Sequence, residues 1–303
     1  MSIDPAPWDG HRLVFIGGMH RSGTTLVADI LGTVPGSSGL RNTGVPMDEG
    51  QHLQRVYTGA RGRMDRWAYA PEAHLTEHDA TPHAARELWD AWAPYWDRDA
   101  RFLVEKSPPN LTKMRYLQEL YPHARFIAVT RHPVVQALAI RKWAGLRTGR
   151  YGVGLPRLVG HWVHAHEVFA DDAECVENLL VVRYEHLMRE PGDVLGRVAE
   201  FLGTPPIPAD AVDVHRSDTY ERAWHATCSG VLRRAAGHLR RAGRRPWRAR
   251  QAVAREIADP ALLPRYRREI ADRYAARIAR LGYDVDNLHD AAPWGVRALS
   301  RRS

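Results

Sequence analysis

Four short apolar runs punctuate the chain: residues 12–17 (RLVFIG), 101–105 (RFLVE), 125–130 (RFIAVT) and 178–182 (NLLVV). Their length, β-branched content and lack of polar alternation predict strands buried on both faces. Between and after them, apolar positions recur at helical spacing. This predicts helices over 26–32, 83–97, 111–122, 133–143, 156–170, 191–203 and 260–281. The 111–122 helix has its apolar stripe at 111, 114, 117 and 120. Pro133 suits a first helical turn, and 191–203 has Pro at its start and Gly at its end. Residues 33–65 are rich in Gly, Pro, Asp and Asn, and only 51–57 (QHLQRVY) reads as helical. Strands alternating with helices predict an α/β fold, a central parallel sheet flanked by helices. The reading is one domain over 1–303, with a core at about 12–205 and an extension over 222–285.

Composition narrows the class. Of 303 residues, 44% are hydrophobic and 26% charged, ordinary for a globular protein. Two cysteines make neither a disulfide framework nor a zinc ligand set. No run is long enough to predict a transmembrane helix, and MSIDPAPWDG lacks the features of a secretory signal, so a cytoplasmic location is expected. The net charge of +8 is unevenly spread. Ten arginines and no acid lie between Arg222 and Arg255, leaving the rest of the chain close to neutral. Only three of the 43 basic residues are lysines, Lys106, Lys113 and Lys142. The arginine bias points to a GC-rich genome, and the clustered lysines to a place where a compact point charge is wanted.

The chemistry starts at Gly18-Met19-His20-Arg21-Ser22-Gly23-Thr24-Thr25, which follows a strand and opens a helix. That context aims backbone N–H groups and the helix dipole at an anion. Compared with GxxxxGK[ST], two glycines and Thr25 are in place, Thr24 holds the lysine position, and the cation sits earlier as Arg21. The strand ends offer Gly17, Glu105, Arg131 and Arg183, with no Walker-B Asp to help hold Mg²⁺. The loop therefore reads as built for a phosphate without magnesium.

Four segments, in order, carry a family resemblance. His20 to Thr25 resembles the 5′-phosphosulfate loop of the sulfotransferases that use 3′-phosphoadenosine 5′-phosphosulfate (PAPS). Phe126 to Pro133 resembles their 3′-phosphate strand and turn. Glu105-Lys106-Ser107-Pro108-Pro109 looks like the lysine-bearing segment of the Golgi-type members. Val182 to Leu187, with Pro191 and Phe201-Leu202-Gly203, is similar to the last core strand and following helix. With Arg in its loop, the chain looks closer to tyrosylprotein and bacterial sulfotransferases than to the cytosolic phenol type.

The resemblance implies the fold, a P-loop-containing nucleoside triphosphate hydrolase-like three-layer sandwich, and roles for named residues. His20, Arg21, Ser22, Gly23, Thr24 and Thr25 would hold the 5′-phosphate end of PAPS, or of the product 3′-phosphoadenosine 5′-phosphate (PAP), and Arg131 the 3′-phosphate. Lys106 would neutralise the departing oxygen, and Tyr184 would contact the nucleotide. A serine that helps hold the 3′-phosphate in the family is Ala139 here, with Arg141 or Lys142 as substitutes. Glu49, in the turn between Pro46 and Gly50, matches the family's glutamate base. His52 is its rival, since an imidazole titrates near neutrality; as the start of a helix over 51–57 it would meet an unfavourable dipole. No metal is expected. The acceptor would be a carbohydrate, a glycolipid, a natural product or a tyrosine, bordered by 44–70 and the 83–97 helix, with Trp89 and Trp92 packing in the core. Combined with the arginine bias, the resemblance suggests an actinobacterial source and a specialised metabolite. Two other classes stay open at this point: a P-loop kinase-like enzyme, and a nucleic-acid-binding protein using Arg222–Arg255, although no nucleic-acid module is recognisable.

Overall fold

A computed structural model describes residues 6–60, 64–144, 154–212, 220, 224 and 263–294, and only the backbone of 142–144. Five strands form one all-parallel sheet: β1 Arg12–Gly18, β2 Ser37–Gly39, β3 Phe102–Lys106, β4 Arg125–Thr130 and β5 Leu179–Arg183, in the order β2-β3-β1-β4-β5. Among the described residues the helices that concern the site and core are α1 Thr24–Leu31, α2 Pro82–Trp92, α3 Met114–Leu120, α4 Pro133–Ala144, α5 Leu155–Ala173, α6 Tyr184–Arg189, α7 Pro191–Leu202 and α8 Leu263–Arg280.

Side-chain alternation divides the core into two layers. Leu13, Phe15, Leu103, Phe126 and Ala128 face one side, packed with residues of α2, α3, α4 and α5. Val14, Ile16, Val104, Ile127 and Val129 face the other, against Val27, Ile30 and Leu31 of α1 and Val194, Leu195 and Val198 of α7. Burial on both faces is why these strands read as unbroken apolar runs. The result is the expected P-loop-like three-layer sandwich. From β1 the chain turns one way through α1 to β2 and β3, and β4 pairs on the other side. The crevice at such a reversal, at the carboxyl ends of the strands, is where open α/β sheets bind ligands.

Several expectations need correction. Residues 51–57 are not a helix. A single 3₁₀ turn covers Gly50–His52, and the Gln54 side chain bonds both Tyr57 N and Tyr57 O at 2.9 Å, capturing the backbone groups a helix would use. The helix over 111–122 splits into a 3₁₀ segment, Pro108–Thr112, and α3. The 83–97 helix ends at Trp92 and continues as a 3₁₀ turn, Ala93–Tyr95. The strand Ser37–Gly39 and helix α6 were not anticipated. The arginine-rich segment Arg222–Arg255 lies outside the described residues, except Trp224, which is buried.

Candidate active site

The sheet brings the expected residues to one rim. The loop 18–25 leaves the end of β1, Lys106 ends β3, Arg131 follows β4, and Tyr184 follows β5. In the loop, Gly23 adopts φ +107°, a conformation that L side chains avoid, and a Cβ there would meet Tyr184 Cδ2 at 2.7 Å. Gly23 also precedes α1 with no side-chain cap. The first-turn amides of α1 are therefore left to an anion, with Thr24 and Thr25 beside them. Ser22 is fully buried, and its hydroxyl has no partner. A glycine cradle, uncapped amides and an orphaned hydroxyl fit a phosphate.

Two clamps fix the loop from the α4 side. Gln136 Nε2 donates to the His20 carbonyl at 2.7 Å, and Arg131 Nη1 donates to the Arg21 carbonyl at 3.1 Å. The Arg131 guanidinium lies 4.1 Å from the centre of the Tyr184 ring, which itself packs on Gly23. The loop and Arg131 are thus held as one unit, which sequence spacing did not reveal. Glu185, beside Tyr184, fixes the turn by accepting from His132 N at 2.8 Å. Ala139 is fully buried on α4. The side chain of Lys142 lies outside the described residues.

The three proposed catalytic side chains meet. Lys106 Nζ donates to Glu49 Oε1 at 3.0 Å and to the Met47 carbonyl at 3.2 Å. Gln51 Nε2 donates to Glu49 Oε2 at 2.5 Å, and His52 Nε2 lies 3.7 Å from the same oxygen. His52 closes its 3₁₀ turn rather than opening a helix, so the expected dipole penalty does not arise. Glu49 reaches Lys106 through a tight turn in which Met47 and Asp48 both have positive φ, 58° and 48°. Thr43 holds that turn by donating to Asp48 from Oγ1 at 2.5 Å and from its amide at 3.0 Å.

Sequence reasoning missed what anchors the loop. Glu105 is fully buried and accepts from Gly50 N at 3.0 Å, Ser107 Oγ at 2.5 Å and Asn110 Nδ2 at 2.5 Å. Burial pushes its carboxyl up to about 7, against the pull of those donors. This acid near the end of β3 therefore points into the protein, where it is taken up by the loop that carries Glu49. Trp92 Nε1 donates to the Gly50 carbonyl at 3.1 Å, so this tryptophan supports the loop from the core. Among the described residues, no group of three or more His, Cys, Asp and Glu side chains could hold a metal ion. No helix among them is long and apolar enough to cross a membrane.

A cavity of about 410 Å³ adjoins the centre through Gln51, whose amide bridges Glu49 and Ala60 N. Tyr57, Gly59, Trp67 and Ala73 also line it. Its walls fall within 51–73; Trp89 and Trp92 belong to the core instead.

Comparison with known proteins agrees with this geometry. Residues 14–208 match the model of the Sulfotransferase family. Protein-tyrosine sulfotransferase A of Caenorhabditis elegans is 26% identical over 197 residues, 63% of this chain and 50% of that protein. Protein-tyrosine sulfotransferase 1 of Danio rerio is 27% identical over 228 residues, 73% of this chain and 60% of that protein. The chain thus spans between half and three fifths of the length of these relatives. The solved sulfotransferase domain from the Synechococcus PCC 7002 olefin synthase is 20% identical, with a TM-score of 0.42 over 71% of this chain and 81% of that one. With a family match over well over half its length, the chain belongs to the sulfotransferase family.

Proposed function

We propose that this sulfotransferase moves the sulfonate group of PAPS to a hydroxyl of a carbohydrate, glycolipid, natural product or tyrosine. The observation that carries the reading is the Glu49–Lys106 pair, on the same rim as a phosphate cradle and an arginine clamped to it. The first-turn amides of α1, with Arg21, Ser22, Thr24 and Thr25, hold the 5′-phosphate. Arg131, stacked on Tyr184, takes the 3′-phosphate. The donor supplies a sulfonate joined to the 5′-phosphate through a bridging oxygen.

Glu49 takes the proton of the acceptor hydroxyl as that oxygen bonds to sulfur. The bond from sulfur to the bridging oxygen breaks, and its electron pair stays on the 5′-phosphate. Lys106 is ion-paired to Glu49 beforehand; as the carboxylate is protonated, the ammonium is released to stabilise the oxygen that departs. The products are a sulfate ester and PAP, and Glu49 returns its proton to solvent. The cavity beside Gln51 receives the part of the acceptor beyond the reacting hydroxyl. Radiolabelled PAPS, offered with a panel of phenols, tyrosine peptides and sugars, tests the proposal. It expects label in an organic sulfate of one acceptor class; label released only as inorganic sulfate would contradict it.

A further inference from the structure

His20 stands out because its imidazole is not needed to build a phosphate loop. Its carbonyl, not its ring, makes the bond to Gln136. Its Nδ1 is fully buried and meets no partner, so Nε2 alone can engage a neighbour. β1 pairs with β3, with Ile16 opposite Lys106, and His20 follows the end of β1 by two residues. His20 therefore sits where the cradle loop leaves the sheet beside the strand end that carries Lys106, the partner of Glu49. In the reading above, the sulfonate lies there, because it joins the 5′-phosphate on one side to the acceptor oxygen on the other.

The ring's form follows from its surroundings. Burial pushes His20 down to about 4, against the pull of the Glu49 carboxylate, so it is neutral at physiological pH. A neutral imidazole carries one N–H. A buried, unpaired N–H is rarer and costlier than a buried lone pair, so the proton belongs on Nε2 and the lone pair on the enclosed Nδ1.

Resting on the PAPS reading, we infer that His20 is a further catalytic residue, whose Nε2–H donates to a non-bridging oxygen of the sulfonate during transfer. A neutral donor suits this position. It stabilises the moving group without protonating Glu49 and without adding a cation beside Lys106 and Arg21.

The test exploits the fact that PAP lacks the sulfonate. H20F keeps a ring of similar size without the donor, and H20Q keeps a neutral N–H. PAP affinity is measured by calorimetry, and turnover with radiolabelled PAPS and the best acceptor of the panel. The expected result is PAP affinity within about threefold of wild type for both variants. Turnover should fall about 10²-fold in H20F, the scale for one oxyanion donor, and less in H20Q. Turnover of H20F within about threefold of wild type would overturn the assignment. So would a loss of PAP affinity matching the loss of turnover, which would make His20 part of the cradle. If wild type binds no PAP, the donor reading itself fails and takes this assignment with it. Should H20F not fold, two-bond proton–nitrogen spectra of wild type, with His20 assigned from H20Q, decide instead. A neutral Nε2–H ring at pH about 7 is expected; an imidazolium or an Nδ1–H ring contradicts the inference.

Discussion

Converting Glu49 to glutamine removes the proposed base while keeping its volume, and the cost can be worked from its partners. Glu49 Oε1 faces the Lys106 ammonium and Oε2 faces the Gln51 amide. An amide offers one acceptor and one donor. With its oxygen toward Lys106, its NH₂ group meets the Gln51 NH₂ group. Gln51 can flip only by giving up its bond from Ala60 N at 2.7 Å. One hydrogen bond is thus lost whichever way the amides turn, about 1 kcal/mol. The charge opposite Lys106 is lost as well, in a pair whose side chains are 6% and 10% exposed. Breaking such a pair outright costs roughly 3–5 kcal/mol. Lys106 keeps the Met47 carbonyl and gains the amide oxygen, so the total should be about 3 kcal/mol. A domain stable by roughly 5–15 kcal/mol survives that, and E49Q should fold. Urea unfolding checks the stability change, calorimetry the PAP affinity, and radiolabelled transfer the turnover. PAP affinity should hold within about threefold while turnover falls ~10²–10⁴-fold. H52N should keep turnover within several-fold, since His52 Nε2 lies 3.7 Å from Glu49 Oε2, beyond hydrogen-bond reach. Near-normal turnover in E49Q with its loss in H52N would refute the reasoning and make the imidazole the base.

Two further outcomes follow from the anchoring contacts. Glu105 has its carboxyl raised to about 7 by burial, so the folded state holds its proton more tightly than the unfolded chain does. Its effect on stability is therefore absent below about pH 4.5 and accumulates as a loss up to about pH 7, on the order of 3 kcal/mol. E105Q should flatten that part of the stability–pH curve measured by urea; an unchanged curve would place the titration elsewhere. Gly23→Ala forces a Cβ onto Tyr184 at a φ of +107°. It should cost about 1–3 kcal/mol of stability and weaken PAP binding, both by calorimetry; unaltered binding would show that the loop does not form the cradle.

How much of this was legible from the sequence depends on where each residue finds its partners. β1, β3, β4 and β5 could be read because central parallel strands are apolar on both faces. The β2 strand Ser37–Gly39 could not, since it consists of two serines and a glycine held at a sheet edge by pairing with β3. Six-residue α6 is too short to show a period. The broken 111–122 helix depends on Asn110, whose side chain bonds Glu105 and the Ile16 carbonyl of a different strand. Within the site, Arg21, Glu49, Lys106 and Arg131 were recognisable by residue type and motif. Gln51, Glu105 and Gln136 were not. Glu105 and Gln136 work by satisfying backbone groups far away in sequence, Gly50 N and the His20 carbonyl, while Gln51 joins Glu49 to Ala60 N within an irregular loop that has no period to read; a buried glutamate at a strand end looks like any acid until its donors are in place.

In the proposed function, two linked anion sites on the sheet rim hold a nucleotide phosphorylated at both the 5′ and 3′ positions. Calorimetry of the wild-type chain with PAP and with ADP, in EDTA and then in magnesium, tests it most directly. PAP should bind in EDTA, magnesium should leave its affinity unchanged, and ADP, lacking the 3′-phosphate that Arg131 would clamp, should bind at least about tenfold more weakly, a difference of about 1.4 kcal/mol. Equal affinity for ADP, or binding that requires magnesium, would contradict it.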